Sequence, residues 1–277
     1  MVKAIVIRTA GTNCDGEMVR GFTQAGASVE LVHLDRLCEQ PTKLDGFDLI
    51  GFPGGFSYGD DIASGRIFAM RVRERLWGSL RKAIDRGVPM IGACNGFQTM
   101  VQVGLLPGAT GAWPDAAPPE QTVALTDNIG ARFVDRWVGI ALESESPCLW
   151  TRGLSELAQE IDAMALPGLA SSDVMMLPTA HGEGRLVAAN EGVLDAMESG
   201  GQVALRYTDN YNGSQRAIAG ICDASGRIFG LMPHPERYLD WTRHPYWTRL
   251  PERVKAFETP GLRMFKNAVE AAKSVGV

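Results

Sequence analysis

The first hundred residues alternate short β-branched runs with segments of helix length, and that alternation constrains the fold more than any other feature of the chain. Val2 to Ile7 is an apolar run. The turn-rich Ala10-Gly11-Thr12-Asn13 separates it from a predicted helix over Asp15 to Ala25, closed by Gly26. Ser28 to Leu34 and Phe47 to Phe52 are the next predicted strands. From Ser64 to Asp85, Ile67, Met70, Trp77, Leu80 and Ile84 recur at spacings of three, four and seven, which predicts one helix with these residues on a single face. Gly87 ends it, and Val88 to Ile91 is a short buried strand leading directly to Cys94. Strands alternating with helices predict an α/β fold, an open and mostly parallel sheet with helices on both faces.

The pattern then changes. Pro107 to Gln121 is proline-rich and reads as an irregular excursion. Thr122 to Thr126 and Arg132 to Leu142 predict strands of an antiparallel addition, and residues 143–184 are mixed. Val203 to Tyr207, Ala217 to Cys222 and Arg227 to Met232 read as strands, the last two joined by the turn Asp223-Ala224-Ser225-Gly226. Gly261 to Ser274 predicts a closing helix. No repeat, low-complexity tract or flexible linker interrupts the chain, so residues 1–277 are expected to form one domain.

A net charge of -5 gives no electrostatic footprint for nucleic acid and no attraction to a membrane surface. No apolar run approaches the roughly 20 residues that span a bilayer, and the first residues do not read as a signal peptide. The five cysteines, Cys14, Cys38, Cys94, Cys148 and Cys222, are widely spread without any Cys-x-x-Cys spacing. That argues against a disulfide framework or a zinc site and predicts a reducing, cytoplasmic setting with no metal.

Cys94 lies in Gly92-Ala93-Cys94-Asn95-Gly96, where a strand passes into a helix. Small neighbours permit a sharp turn that exposes the side chain at the carboxyl edge of the sheet. The following helix aims its free N–H groups and positive dipole end at the sulfur, an environment suited to an anion. This is the cysteine form of the nucleophile elbow. The stretch fits a small buried packing residue equally well.

A thiol nucleophile needs a base, and the base an orienting acid. Of the four histidines, His33 lies on an apolar strand and reads as structural. His234 stands between two prolines with Glu236 two residues on, so an extended backbone would turn both side chains the same way. His181 with Glu183 forms a second His-x-Glu pair that competes on spacing alone. Acyl transfer also needs N–H donors for an oxyanion. Asn95, directly after the cysteine, can supply one, and the turn Gly54-Gly55 after another parallel strand a second.

With these parts assembled, the sequence resembles the triad-type (class I) glutamine amidotransferases. Gly-x-Cys-x-Gly-x-Gln, Pro-Gly-Gly after an earlier strand and a late His-x-Glu carry that likeness. The stretches GTNCD (11–15), GGFSYGDDIASG (54–65), GACNGFQ (92–98), HGEGR (181–185), NGSQ (212–215) and GLMPHPER (230–237) are more specific. They resemble the glutaminase subunits of phosphoribosylformylglycinamidine synthase, from the first strand to about Tyr238. The resemblance implies a flavodoxin-like fold and hydrolysis of glutamine to glutamate and ammonia in de novo purine biosynthesis. It implies Cys94 as nucleophile forming a γ-glutamyl thioester, His234 as proton carrier and Glu236 as its orienting acid. Gly54, Gly55 and Asn95 would serve the oxyanion, and Gln98 would help hold glutamine. Phe56, Ser57, His181 and Glu183 are assigned to the pocket or a partner interface.

The resemblance also implies a partner synthetase, with a third small subunit in some assemblies. Formylglycinamide ribonucleotide and ATP with magnesium would react on that partner, leaving this chain without a cofactor. No Walker-type phosphate loop is present, which fits ATP binding elsewhere. A free-standing cysteine hydrolase or peptidase of the same fold is the alternative. The chain is longer than compact free-standing versions of the subunit, notably in a C-terminal extension from about residue 239, where Trp241, Tyr246 and Trp247 are expected to pack against the sheet, contact with a partner being the alternative.

Overall fold

A computed structural model describes residues 1–275. Eleven strands are present among them: β1 (Lys3–Arg8), β2 (Ser28–His33), β3 (Leu49–Phe52), β4 (Met90–Ala93), β5 (Val123–Asp127), β6 (Val134–Leu142), β7 (Met176–His181), β8 (Glu183–Ala188), β9 (Val203–Tyr207), β10 (Ile218–Cys222) and β11 (Ile228–Leu231). Nine form one sheet in the order β2-β1-β3-β4-β11-β10-β9-β6-β7. From β2 through β11 every pairing is parallel. From β11 outward through β10, β9, β6 and β7 the pairings are antiparallel. The expected α/β sheet is therefore present, and the antiparallel addition extends it edge to edge. Strand β5 instead pairs with β8 in a separate two-stranded ribbon.

The central strands are buried on both faces, which is why they read as continuous apolar runs. Successive residues feed two cores. Ala4, Val6, Leu49, Ile91 and Phe229 join Trp150 and Phe265 on one side. Ile5, Ile7, Ile50, Phe52 and Met90 join Phe68 and Phe97 on the other. On the first side, helix α1 (Asp15–Gln24) meets the C-terminal helix Pro260–Val275 through Phe22 and Phe265, packed edge to face at 5.0 Å between ring centroids.

The predicted helix over residues 64–85 is two helices. After α2 (Leu34–Glu39), α3 spans Arg66–Arg75 and α4 spans Trp77–Asp85, with the chain breaking at Leu76. The break rotates the buried face, so Phe68, Ala69 and Val72 pack inward from α3 while Met70 lies in solvent. Periodicity across the break had joined two faces that do not coincide.

Residues 239–259 wrap back onto the protein. Leu239, Trp241, Leu250 and Val254 are buried, and Trp241 Nε1 donates to the Phe257 carbonyl at 2.7 Å. The packing role read for Trp241 holds, whereas Tyr246 and Trp247 are exposed. Among the described residues no helix is long and apolar enough to cross a membrane.

Candidate active site

Strands β1, β3, β4 and β11 run parallel, so the segments leaving them, at residues 9–14, 53–58, 94 and 232–236, emerge at one edge of the sheet. That carboxyl edge is where open α/β sheets place their chemistry.

Cys94 joins β4 to α5 (Asn95–Val103) with φ 51° and ψ -109°, a backbone that non-glycine residues adopt only under strain. The neighbouring glycines explain how the turn is tolerated. A Cβ on Gly96 would lie 1.8 Å from the Phe52 carbonyl oxygen, and one on Gly92 2.4 Å from Met100 Sδ. Helix α5 can approach β3 and β4 only because both positions lack a side chain. The Cys94 backbone N–H donates to the Leu231 carbonyl at 2.9 Å, tying the turn to β11. Its sulfur is buried and lies 3.7 Å from the Ala180 carbonyl oxygen.

His234 follows β11 on the same edge. Its Nδ1 is 2.6 Å from Glu236 Oε1, with both side chains buried. The backbone between them is not the extended segment expected from spacing. Pro235–Arg237 forms a 3₁₀ turn, and the tight turn rather than strand alternation brings the carboxylate onto the ring. Nε2 of His234 and Oε2 of Glu236 are buried without a hydrogen-bond partner among the described residues. Burial pulls the imidazole pKa down, but Glu236 and the Cys94 and Cys14 thiols outweigh it and hold it well above the usual value.

The turn after β3 lies against both. Gly55 has φ +136°, and a Cβ there would lie 2.6 Å from the Asn13 amide nitrogen. A Cβ on Gly54 would lie 2.7 Å from His234 Cε1. Ser57 is buried and its N–H donates to Asn95 Oδ1 at 3.3 Å, whereas Phe56 is exposed and stacks on exposed Phe133 at 6.5 Å.

Helix α5 and the HGEG segment are cross-braced. Asn95 Nδ2 donates to Gln98 Oε1 and to Asp60 Oδ1, each at 3.1 Å. Gln98 Nε2 donates to the Glu183 carbonyl at 2.5 Å, and Glu183 Oε2 accepts from the Ser64 N–H at 3.4 Å. His181 and Glu183 therefore do not pair as His234 and Glu236 do. His181 Nε2 instead meets the Tyr211 hydroxyl at 2.7 Å, and its ring covers Gly184, where a Cβ would lie 2.0 Å from His181 Cε1. Burial, with His234 adding to it, brings the His181 pKa down to about 3, so this ring stays neutral.

Two residues that sequence reasoning did not single out belong to this site. Asp60 accepts from Ser64 Oγ at 3.0 Å as well as from Asn95; burial raises its pKa against these hydrogen bonds. Cys14, buried at the start of α1, converges with His234 and Glu236, their polar atoms all within 4.8 Å. These three are metal-ligand types, but the facing atoms of His234 and Glu236 are spent on each other. The signal for Cys14 was available, since the loop after β1 must open on the same sheet edge.

Residues 1–270 match the model of the CobB/CobQ-like glutamine amidotransferase domain. A phosphoribosylformylglycinamidine synthase subunit PurQ from Dehalococcoides mccartyi is 38% identical over 280 residues, covering 99% of this chain and 99% of that protein. The chain belongs to the PurQ family of glutamine amidotransferases. The Mycobacterium tuberculosis PurQ is 38% identical over 269 residues, covering 96% of each. A chain of the PurLQS structure from Thermotoga maritima superposes with a TM-score of 0.67 at 29% identity, covering 98% of each chain.

Proposed function

We propose that this amidotransferase is the glutaminase subunit of phosphoribosylformylglycinamidine synthase and that Cys94 is its nucleophile. The observation carrying the assignment is the strained turn at Cys94, set at the same sheet edge as the buried His234–Glu236 pair. The Cys94 thiol gives its proton to His234 as its sulfur attacks the side-chain amide carbon of glutamine. Negative charge gathers on the amide oxygen, where the N–H groups of Gly55 and Asn95 receive it, with Gly54 shaping the turn. The C–N bond breaks as His234 gives its proton to the departing nitrogen, releasing ammonia and leaving a γ-glutamyl thioester. His234 then takes a proton from the water that attacks the thioester and returns it to the departing sulfur, which frees glutamate and restores the Cys94 thiol. Glu236 keeps the imidazole oriented through Nδ1 and stabilises its charged form.

Gln98 acts here by fixing the backbone of Glu183, which makes a wall for the glutamine. His181, Glu183, Phe56 and Ser57 shape the mouth of that pocket. The ammonia passes to a synthetase subunit that makes the amidine from formylglycinamide ribonucleotide. ATP and magnesium belong to that partner, and this chain carries no cofactor or metal of its own. Support for the partners comes from the Thermotoga relative, which was solved in a PurLQS assembly; a synthetase and a third small subunit are its counterparts here. Cytoplasmic residence follows from substrates of nucleotide synthesis, and nucleic acid and membrane have no part. A free-standing cysteine hydrolase has no support among relatives that bear a subunit name.

The test is Cys94→Ala in the assembled synthase. Glutamine-dependent amidine synthesis should disappear while synthesis from added ammonium persists. Loss of both, or of neither, removes Cys94 from the role.

A further inference from the structure

The GTNCD stretch has no part in the chemistry just described, yet it touches both halves of the machinery. Residues 9–14 leave β1 at the sheet edge and run alongside the turn after β3. Thr12 and Gly55 form an antiparallel bridge. The Phe56 N–H donates to the Gly11 carbonyl at 2.9 Å, the Tyr58 N–H to the Ala10 carbonyl at 2.8 Å, and the Cys14 N–H to the Gly54 carbonyl at 3.2 Å. The fit leaves no room for side chains, since a Cβ on Gly11 would lie 2.0 Å from the Phe56 carbonyl oxygen.

The same loop reaches the base. Cys14 is 1% exposed, and its sulfur shares one small space with His234: a Cβ on Gly54 would meet His234 Cε1 at 2.7 Å and Cys14 Sγ at 3.2 Å. The sulfur is itself held. Arg237 donates to it at 3.1 Å while also bonding Glu17 Oε2 at 3.0 Å, and Asn13 Oδ1 lies 3.2 Å away. Glu236 restrains only the Nδ1 side of the ring. An imidazole fixed at one nitrogen can still swing about that bond, and a base displaced by about 1 Å can lose roughly 10²-fold in rate.

We propose that Cys14 is a positioning residue, its thiol wedging the His234 ring so that the β1–α1 loop aligns base and oxyanion turn as one unit. Cys14 is no second nucleophile: it sits at the start of α1 with φ -99° and ψ 11°, off any elbow, and burial raises its pKa. The proposal rests on His234 being the base, as assigned above.

The experiment compares Cys14→Ala, Cys14→Ser and Cys94→Ala in the assembled synthase. In Cys14→Ala, kcat for the glutamine-dependent reaction should fall roughly 10- to 100-fold with KM for glutamine little changed. Ammonium-dependent synthesis should stay at the wild-type level. Cys14→Ser, which keeps a small polar wedge, should recover most of the lost kcat. A wild-type kcat in Cys14→Ala, a Ser variant no better than Ala, or a loss expressed in KM or in the ammonium reaction overturns the proposal. The third variant separates the two claims: if Cys94→Ala keeps glutamine-dependent activity, the underlying mechanism fails, whatever Cys14 does.

Discussion

His234 Nδ1 and Glu236 Oε1 lie 2.6 Å apart across a single 3₁₀ turn, with neither side chain reaching solvent. A buried carboxylate facing a buried imidazole is costly to desolvate, and the pair is favourable only while both are charged or share the proton. The charge of the pair is therefore tied to stability and, in the proposed mechanism, to catalysis.

Glu236→Gln keeps the shape and removes the charge. Glutamine-dependent kcat should drop about 10²- to 10⁴-fold, by analogy with amide replacement of a triad acid. The stability cost should depend on pH. Burial opposes the imidazolium, but Glu236 and the neighbouring thiols raise the folded pKa of His234. The raised value means that the contribution is complete below the unfolded pKa of about 6.5 and fades as pH rises through the folded one. Urea unfolding should thus give the variant a deficit of about 3 kcal/mol at pH 6, shrinking at higher alkaline pH. A deficit that grows with pH would contradict the pairing.

His181 should behave in the opposite sense. Its folded pKa of about 3 lies below the unfolded value, so the unfolded chain gains the proton first as pH falls. Wild-type stability should decline from about pH 6.5 downward, by about 2 kcal/mol at pH 5 from this residue. His181→Asn should lose less between pH 7.5 and pH 5 than the wild type does, read by urea midpoints at both values.

Two glycines in helices separate the elbow from ordinary helix propensity. Gly78, in α4, has open space for 4 Å around the place a Cβ would occupy and no unusual φ, so Gly78→Ala should stabilise by about 0.5–1 kcal/mol. Gly96, in α5, would drive a Cβ to 1.8 Å from the Phe52 carbonyl oxygen. Gly96→Ala should cost about 3 kcal/mol or more and abolish glutaminase activity, because α5 must retreat from β3 and carry Cys94 with it. Thermal unfolding of the two variants side by side checks both signs.

Gln98→Ala should raise KM for glutamine about tenfold and leave ammonium-dependent synthesis intact. The Gln98 amide is held by Asn95 and spends its own N–H on the Glu183 carbonyl, so its loss frees the pocket wall rather than the nucleophile. An unchanged KM with reduced kcat would place Gln98 on the chemical step instead.

Much of this site was legible in the sequence because its parts are local. Gly92 to Gly96 encodes the turn at Cys94 by residue size alone, and Pro-His-Pro-Glu keeps a base and an acid within two positions. The parallel half of the sheet was equally open to reading, since strands buried on both faces are written as apolar runs. What the sequence concealed depends on distance or on single backbone angles. Nothing near Leu76 announces a helix break, because only the facing cores decide that Phe68 and not Met70 turns inward. Cys14 and His234 are 220 positions apart, brought together by strand order. Strands β7 and β8, over residues 176–188, were obscured because half-buried strands alternate without a strong apolar run.

One sulfur of the five, Cys94, is assigned as the glutamine-directed nucleophile. Incubating the assembled synthase with an electrophilic glutamine analogue and locating the adduct by peptide mass spectrometry tests it most directly. Labelling at Cys94, suppressed by glutamine, with Cys14, Cys38, Cys148 and Cys222 unmodified, is the predicted result. An adduct on Cys14 in place of Cys94, or labelling spread evenly over the cysteines, would contradict the mechanism and leave Cys94 a packing residue on a strained turn.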